Sequence, residues 1–510
     1  MSETTDLVRR SLSEETRREF HARVSEQASQ LRTAIADGAF DNPDFAVGLE
    51  LEVYAVSNET AAAGELTPLA EGVFESVANK ELGLHNAEIN TDPDVLDGDG
   101  VSAQAASITE RFAASQRAAR DHGCRLVPDA MWALPPAIGS DAYLTHRETD
   151  NGVTIADHMR PDPRYVAIDN EVLDLAGGEI DFTVPGVDRS FPSILFESLA
   201  TSIQPHLQVP RASQFPAYYN TAIRTLGPVL AISANSPFLP HDLYTDVADP
   251  AQLIDRTHHE LRIAVFEQSV NQSPNAKVRV PVDIDRAAET VDAVVADDLY
   301  APFLREWTTD EERDAFAEDI WEFRYKRSTY WRWLRCVVGG TPVGDGDERS
   351  LRIEYRPIPT QPTVQDVVGM QLLTVGLIRG LVATDHPLSD LPWDAARRSF
   401  YRAAESGLDA DLAWITADGE RTDDTETVYD EVFEYARVGL RESDVPAAEI
   451  ERYLAPIESR WTERTTPSAW KKTRVREALE DGTSLSAAIE SMQREYIERS
   501  RESASFAEWI

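Results

Sequence analysis

The sequence has little cysteine, little lysine and no long apolar run, and each shortage excludes a class of protein. Cys124 and Cys336 are the two cysteines among 510 residues, and no CxxC spacing exists. This excludes a disulfide framework and a thiolate metal site. No uncharged apolar run approaches the roughly 18 residues of a membrane-spanning helix, and the first ten residues are polar. We therefore expect a folded cytoplasmic protein that is neither exported nor membrane-bound.

The shortage of lysine accompanies a large excess of acidic residues. Five of the 49 basic residues are lysine, against 89 Asp and Glu, and the net charge is −40. The carboxylates are spread along the whole chain, so an acidic tail does not explain this charge. Such a solvated surface is typical of halophilic cytoplasmic proteins, and a partner-binding acidic surface is the alternative. Both explanations disfavour nucleic acid and anionic membranes as partners.

Hydrophobic periodicity predicts a mixed region between two helical ones. Residues 1–40 have apolar residues at helical spacing, with Ser11 or Ser13 as the N-cap, and predict a helical arm. Residues 41–385 alternate strands with helices and predict a catalytic domain, whereas residues 386–510 predict a helical C-terminal region. Further individual helices are predicted at residues 66–82, 101–122, 249–268, 310–326 and 473–510.

One short stretch carries two carboxylates in a strand-like pattern. From residue 45 to 53, apolar residues alternate with the other positions, and Glu50 and Glu52 fall on the opposite face. Two like charges this close are costly unless a cation or acid–base chemistry uses them. The stretch therefore predicts a strand with one core face and one functional face.

Three further predicted strands also place polar residues on one face. A lone histidine on a strand is usually structural, but three polar residues on one face of an apolar strand favour a function. Pro205 lacks a backbone donor, so we expect an edge strand or a bulge there. The last predicted strand alternates cation, carboxylate and cation on one face. This pattern suits either charged cross-strand pairs on a solvent-exposed sheet or a site for phosphate and metal. The aligned polar residues are Asn86, Glu88, Asn90, Gln204, His206, Gln208, Arg352, Glu354 and Arg356.

Together these faces offer the ligand types of a metal-dependent phosphoryl-transfer site. Carboxylates with imidazole and no thiolate select hard cations such as Mg²⁺ or Mn²⁺, and arginines suit phosphate oxygens. The sequence has no P-loop, GxGxxG or kinase signature, so metals and arginines would hold a nucleotide. Such a site acts by position and electrostatics. The candidates are Glu50, Glu52, Glu88, His206, Gln208, Arg262, Arg335, Glu354 and Arg356.

An ordered series of eight blocks resembles the carboxylate–amine ligase family typified by glutamate–cysteine ligase. The blocks are GLELE, HNAEINTDP, SIQPHLQV, ISANSPF, LRIAVF, YWRWLR, LRIEYRP and ESGLDA, within residues 45–412. The resemblance implies an α+β, glutamine-synthetase-like fold, in which a curled antiparallel sheet forms a funnel-shaped active site covered by helices. It also implies that ATP and Mg²⁺ (or Mn²⁺) bind the polar face. The implied reaction phosphorylates the γ-carboxylate of glutamate, and an amine such as cysteine then attacks the acyl phosphate.

The resemblance also implies a role for each candidate residue. By position, the metal ligands are Glu50, Glu52, Glu88, His206 and Glu354. Glu354, Arg335 and Arg356 match catalytic positions of the family. Arg262, Arg356 and Gln208 match positions expected to bind the nucleotide.

The chain departs from the family pattern on the substrate and nucleotide side. Residues 126–136 lack the Gly-x-His-Pro that relatives often have, and Trp333 stands where an Asp is common. Ser399 and Glu405 replace an expected Asn and Arg. A catalytically inactive binding or regulatory protein on the same fold is therefore the alternative function. The acid, the amine, the oligomeric state and the role of the C-terminal helices stay open.

Overall fold

The long strand β1 is the centre of an open eight-stranded antiparallel sheet in the computed structural model. The structure describes residues 2–58, 64–75, 77–308, 315–340, 343 and 349–510. The main path of the sheet runs β11-β12-β10-β1-β3-β2, and β4 and β5 also pair with β1. The strands are β1 (Ala46–Ser57), β2 (Ala78–Lys80), β3 (Asn86–Asn90), β4 (Asp94–Val95), β5 (Cys124–Val127), β6 (Arg147–Asp150), β7 (Val153–Ala156), β8 (Ile180–Val184), β9 (Val187–Phe191), β10 (Ile203–Gln208), β11 (Leu334–Val338), β12 (Leu351–Tyr355), β13 (Trp414–Ile415) and β14 (Arg421–Thr422).

Helices cover the sheet and form the C-terminal region, so the expected α+β class is confirmed. The helices are α1 (Ser2–Ser11), α2 (Glu14–Ala36), α3 (Gly98–Asp121), α4 (Ser140–Thr145), α5 (Pro163–Ala176), α6 (Phe215–Ser233), α7 (Pro250–Arg256), α8 (Leu261–Val270), α9 (Ala288–Ala296), α10 (Ala315–Asp319), α11 (Trp321–Ser328), α12 (Val364–Ala383), α13 (Trp393–Ser406), α14 (Thr425–Arg441), α15 (Ala447–Thr462), α16 (Pro467–Glu480) and α17 (Leu485–Glu502).

The alternation of β1 decides which face of the sheet is core. Leu49, Leu51 and Val53 are buried on the apolar side, and β1 and β10 contact helix α12. Gln371 of α12 donates from Nε2 to the carbonyl oxygen of Gly48 at 3.0 Å, which fixes this helix against the strand. The polar side is thus left to the carboxylates.

Helix α12 is the most apolar helix of the described chain. It is long and apolar enough to cross a membrane by length and composition, but 83% of that window is buried inside the protein. Its neighbours include α6, α14 and α15. Its composition is therefore that of a helix surrounded by protein on most sides.

Several local predictions are confirmed or corrected. Ser13 is the N-cap of α2 and accepts a hydrogen bond from the amide of Thr16 at 3.3 Å. Residues 66–82 do not form the predicted helix, because Ala78–Lys80 pairs with β3 instead; residue 76 lies outside the described residues. Pro205 does not mark an edge strand, since β10 lies between β1 and β12.

Two other predicted helices are interrupted. Residues 249–268 form α7 and α8, separated at residues 257–260. Residues 473–510 are interrupted at Gly482, whose φ of +86° favours glycine. Of the helix predicted at residues 310–326, the first five lie outside the described residues, and α10 and α11 occupy most of the remainder.

Candidate active site

Strand pairing brings most of the predicted site residues onto the sheet in two cross-strand rows, one through Glu52 and one through His206. Glu52 of β1 is directly opposite Glu88 of β3. Farther along the sheet, His206 of β10 is opposite Glu354 of β12, which is in turn opposite Arg335 of β11. Residues distant in sequence thus become cross-strand neighbours, whose side chains interact directly.

Glu50, His206 and Glu354 form a group that could hold one metal ion. One ligand atom from each lies within 4.8 Å of the others. His206 Nε2 is 3.1 Å from Glu50 Oε1, so the imidazole lies directly beside this carboxylate. The other ring nitrogen of this buried side chain, Nδ1, has no hydrogen-bond partner among the described residues. A buried imidazole beside two carboxylates fits a divalent cation such as Mn²⁺ or Mg²⁺.

Two arginines hold the carboxylate of Glu354. Arg335 donates from Nε to Oε2 and from Nη2 to Oε1, the latter at 2.9 Å, and Arg356 Nη1 donates to Oε1 at 2.8 Å. Burial alone would raise the pKa of Glu354, but the charges of Arg335 and Arg356 hold it well below its ordinary value. The group is therefore an oriented anion.

The negative charges of Glu52 and Glu88 are less well neutralised than that of Glu354. Glu52 accepts from the amide of Ser202 at 2.6 Å and from Gln204 Nε2 at 3.1 Å. Burial raises the pKa of Glu52, although Arg262 opposes it. Burial, followed by the charge of the neighbouring Glu50, raises the pKa of Glu88 well above its ordinary value. This part of the site favours bound protons or a cation.

Two carboxylates that the sequence reasoning missed belong to the same site. Burial and then the charge of Glu52 raise the pKa of Glu81 to about 7. Burial and then Glu52 raise the pKa of Glu197 to about 8. Neither residue lies on a strand, so alternation could not find them. Glu197 had one available signal, since it is the single charge in the apolar segment Phe191–Leu199.

Arg262 and Gln208 contact the backbone around the site. Arg262 donates from Nη1 to the carbonyl oxygen of Pro357 at 3.1 Å and from Nη2 to that of Arg356 at 2.8 Å. Its guanidinium therefore fixes the segment that carries Arg356. Gln208 Nε2 donates to the carbonyl oxygen of Asp44 at 3.2 Å.

A cavity of about 830 Å³ opens beside Glu50 and His206. This volume is in the range of small-molecule sites. Glu52, Glu88 and Glu354 do not line it, so the cavity meets the site at its Glu50 end. Its polar and charged lining within the described chain includes Glu50, Asn79, Asn90, Asp92, Arg111, His206, Gln208, Arg324, Arg349 and Arg352.

Two of the residues that depart from the family pattern are buried and hydrogen-bonded within the protein, and a third is exposed. Trp333 is fully buried, and its Nε1 donates to Glu267 at 2.8 Å. Ser399 is buried on α13 and accepts from the amide of Ala413 at 2.9 Å. The side chain of Glu405 is exposed. Trp333 and Ser399 thus serve packing in this chain.

An antiparallel sheet that gathers carboxylates, a histidine and arginines under a cover of helices is the arrangement that the resemblance to carboxylate–amine ligases implies. The model of glutamate–cysteine ligase family 2 matches residues 46–503, and the chain belongs to this family. Membership supports an ATP-dependent carboxylate–amine ligase. No curated protein sequence matches the chain significantly.

Two solved structures share the fold at low identity. The glutamate–cysteine ligase of Francisella tularensis, in complex with AMP, is 12% identical over 91% of this chain and 90% of its own, with a TM-score of 0.52. A bifunctional glutathione synthetase from Pasteurella multocida is 13% identical, with a TM-score of 0.50. The match covers 90% of this chain and 53% of the bifunctional protein.

Proposed function

We propose that this protein joins the γ-carboxylate of glutamate, or of a similar acid, to an amine such as cysteine at the expense of ATP. The observation that carries the proposal is family membership across residues 46–503. The donor set on the polar face supports it. The acidic composition, with a net charge of −40, supports work in the salt-rich cytoplasm of a halophile.

The proposed reaction has two steps. A carboxylate oxygen of the acid attacks the γ-phosphorus of ATP, the bond to the bridging oxygen breaks, and ADP leaves with the electron pair. The amine nitrogen then attacks the acyl carbon, phosphate leaves, and the nitrogen loses a proton. Both steps develop negative charge on phosphate oxygens. Arginines stabilise this charge best when the protein already holds them in place.

The residues of the polar face divide this work. Glu50, His206 and Glu354 would hold one divalent cation, and Glu52 with Glu88 would contribute to a second. When bound, Mg²⁺ or Mn²⁺ neutralises charge on the phosphates of ATP. Arg335 and Arg356 keep Glu354 ionised and oriented. The Glu50 end opens to the cavity, whose arginines suit a triphosphate (Arg111, Arg324, Arg349 and Arg352).

A second candidate function is binding without turnover. Trp333 and Ser399 serve packing where relatives have polar residues, and Glu405 is exposed. These departures favour a regulatory protein that binds nucleotide and metal but has lost part of its substrate site. The two candidates differ in whether ATP is consumed.

ADP release separates the two candidates. The assay uses glutamate, Mg²⁺ and a panel of amines in concentrated KCl, because low salt could unfold so acidic a protein. We expect ADP release that Glu52→Gln and Arg356→Ala abolish. A melting temperature that rises with Mg²⁺-ATP, without ADP release for any pair, would establish the second candidate. A melting temperature that changes with neither Mg²⁺ nor ATP, together with no ADP release, would contradict both candidate functions.

A further inference from the structure

A buried ion pair between Lys471 and Asp129 lies outside the proposed ligand set. Lys471 of α16 donates from Nζ to Asp129 Oδ1 at 2.6 Å, and the two side chains are 2% and 0% exposed. Asp129 follows β5, and its other carboxylate oxygen accepts from Gln493 of α17 at 2.7 Å. Burying such a pair is expensive, and apolar residues often fill the same space at no loss of stability. The pair therefore calls for an explanation beyond stability.

One chain of contacts leads from Asp129 to the carboxylate of Glu52. Tyr54, two residues after Glu52 on β1, donates from its hydroxyl to Asp129 Oδ2 at 3.3 Å. The hydroxyl of Thr201 donates to the backbone oxygen of Asp129. The next residue, Ser202, donates its amide to Glu52 Oε2 at 2.6 Å.

A second chain leads from Lys471 to the backbone of Glu52. Lys471 Nζ also donates to the carbonyl oxygen of Asn235 at 2.8 Å. Asn235 Nδ2 donates to the carbonyl oxygen of Thr360 at 2.7 Å, and the Thr360 hydroxyl donates to the carbonyl oxygen of Glu52 at 2.8 Å. The two chains start at one ammonium group and meet at one glutamate.

We propose that Lys471 is a positioning residue, which sets the carboxylate of Glu52 through Asp129, Thr201 and Thr360. The inference rests on the proposed metal-binding role of Glu52. Loss of the ammonium leaves the Asp129 carboxylate buried without its cation, so the segment that presents the Ser202 amide shifts. Partners of ligands matter because their removal typically costs about 10–100-fold in metal affinity. The C-terminal helix α16 thereby takes part in building the site.

The test is Mn²⁺ affinity, measured by electron paramagnetic resonance without nucleotide. We expect Lys471→Met to raise the Kd for Mn²⁺ about tenfold or more. Lys472→Met is the matched control, because Lys472 is also buried on α16 but its Nζ bonds the carbonyl oxygen of Thr257 at 2.9 Å. The control should keep the Kd within about twofold of the wild type, even where its melting temperature falls.

A milder pair of variants covers the case in which Lys471→Met does not fold. Thr360→Val removes the hydroxyl that reaches Glu52 at nearly constant volume. Thr374→Val removes a buried hydroxyl that bonds the carbonyl oxygen of Met370 at 2.7 Å and belongs to neither chain of contacts. We expect weaker Mn²⁺ binding from Thr360→Val and an unchanged Kd from Thr374→Val.

The outcomes separate this inference from the proposed function. Wild-type affinity in Lys471→Met and Thr360→Val, or equal losses in variants and controls, would overturn the positioning role alone. A wild-type protein that binds no Mn²⁺ would overturn the metal site itself, and the positioning role with it. Losses confined to Lys471→Met and Thr360→Val would establish the inference.

Discussion

Glu52 and Glu88 are direct cross-strand neighbours on β1 and β3, so two half-buried carboxylates face each other. Like charges in this relationship are destabilising. Burial raises the pKa of both groups, and the charge of Glu50 adds to the effect at Glu88. A cation favours the ionised form of the same groups. The site should therefore exchange protons for metal.

The first prediction concerns that exchange. Binding of Mn²⁺ at pH 7 should release about one proton or more, because ligands must be deprotonated. Calorimetric titration in two buffers of different ionisation enthalpy measures the number. Mn²⁺ binding to Glu88→Gln should release fewer protons. The control Glu110→Gln, at an exposed position of α3, should release as many as the wild type. The same apparent binding enthalpy in both buffers would contradict the exchange.

The second prediction concerns pH and stability of the metal-free protein. Because the folded pKa of Glu197 is raised to about 8, its contribution to stability is fully present below the unfolded pKa near about 4.3. It is lost as the pH rises through about 8, by at most about 1.4 kcal/mol per pH unit before solvent screening. Urea unfolding between these pH values should show the decline in the wild type.

Glu197→Gln tests the source of that decline. The neutral amide cannot titrate, so the variant should lose less stability than the wild type as the pH rises. Glu26→Gln, at an exposed position of α2, should keep the wild-type slope. Parallel curves for Glu197→Gln and the wild type would place the titration elsewhere.

The third prediction concerns the attachment of the C-terminal helices. Arg460 of α15 donates from Nη2 to Asp366 Oδ1 of α12 at 3.0 Å, and both side chains are fully buried. Arg460→Leu leaves an uncompensated buried carboxylate and should lower the free energy of unfolding by about 3–5 kcal/mol. Arg452→Leu removes a side chain that is 60% exposed and should cost below about 0.5 kcal/mol. Similar unfolding midpoints for both variants would contradict the role of the pair.

The fourth prediction concerns salt. With a net charge of −40, repulsion between carboxylates destabilises the folded chain at low ionic strength. The melting temperature should rise between about 0.1 M and 1 M KCl, as the screening length falls from about 10 Å to 3 Å. NaCl of equal ionic strength should produce a similar rise, since screening does not depend on the cation. A flat or falling melting temperature would contradict this account of the composition.

The sequence predicts the parts of the site that depend on local periodicity. Alternation places Glu50 and Glu52 on one face of β1, because side chains on a strand repeat every two residues. The same rule finds His206 and Glu354 on their own strands. It does not reveal that these two are opposite each other, since pairing between strands depends on tertiary structure.

The wrong or missing predictions also arise where tertiary structure, and not local periodicity, decides the outcome. Residues 66–82 have helical spacing, but the pairing of β2 with β3 overrides this preference. Glu81 and Glu197 join the site from outside the strands, where no period marks them. Lys471 is far from Glu52 in sequence, and tertiary hydrogen bonds that no sequence pattern marks connect the two.

The most direct test of the proposed acyl-phosphate reaction follows an oxygen atom from the γ-carboxylate of glutamate to the released phosphate. Glutamate labelled with ¹⁸O in its γ-carboxylate is incubated with Mg²⁺, ATP and the accepted amine in concentrated KCl, and the released phosphate is analysed by mass spectrometry. An acyl phosphate leaves one carboxylate oxygen on phosphate, so we expect one ¹⁸O per phosphate from the wild type and no labelled phosphate from Arg356→Ala. ADP and amide formed with unlabelled phosphate would contradict the proposed reaction.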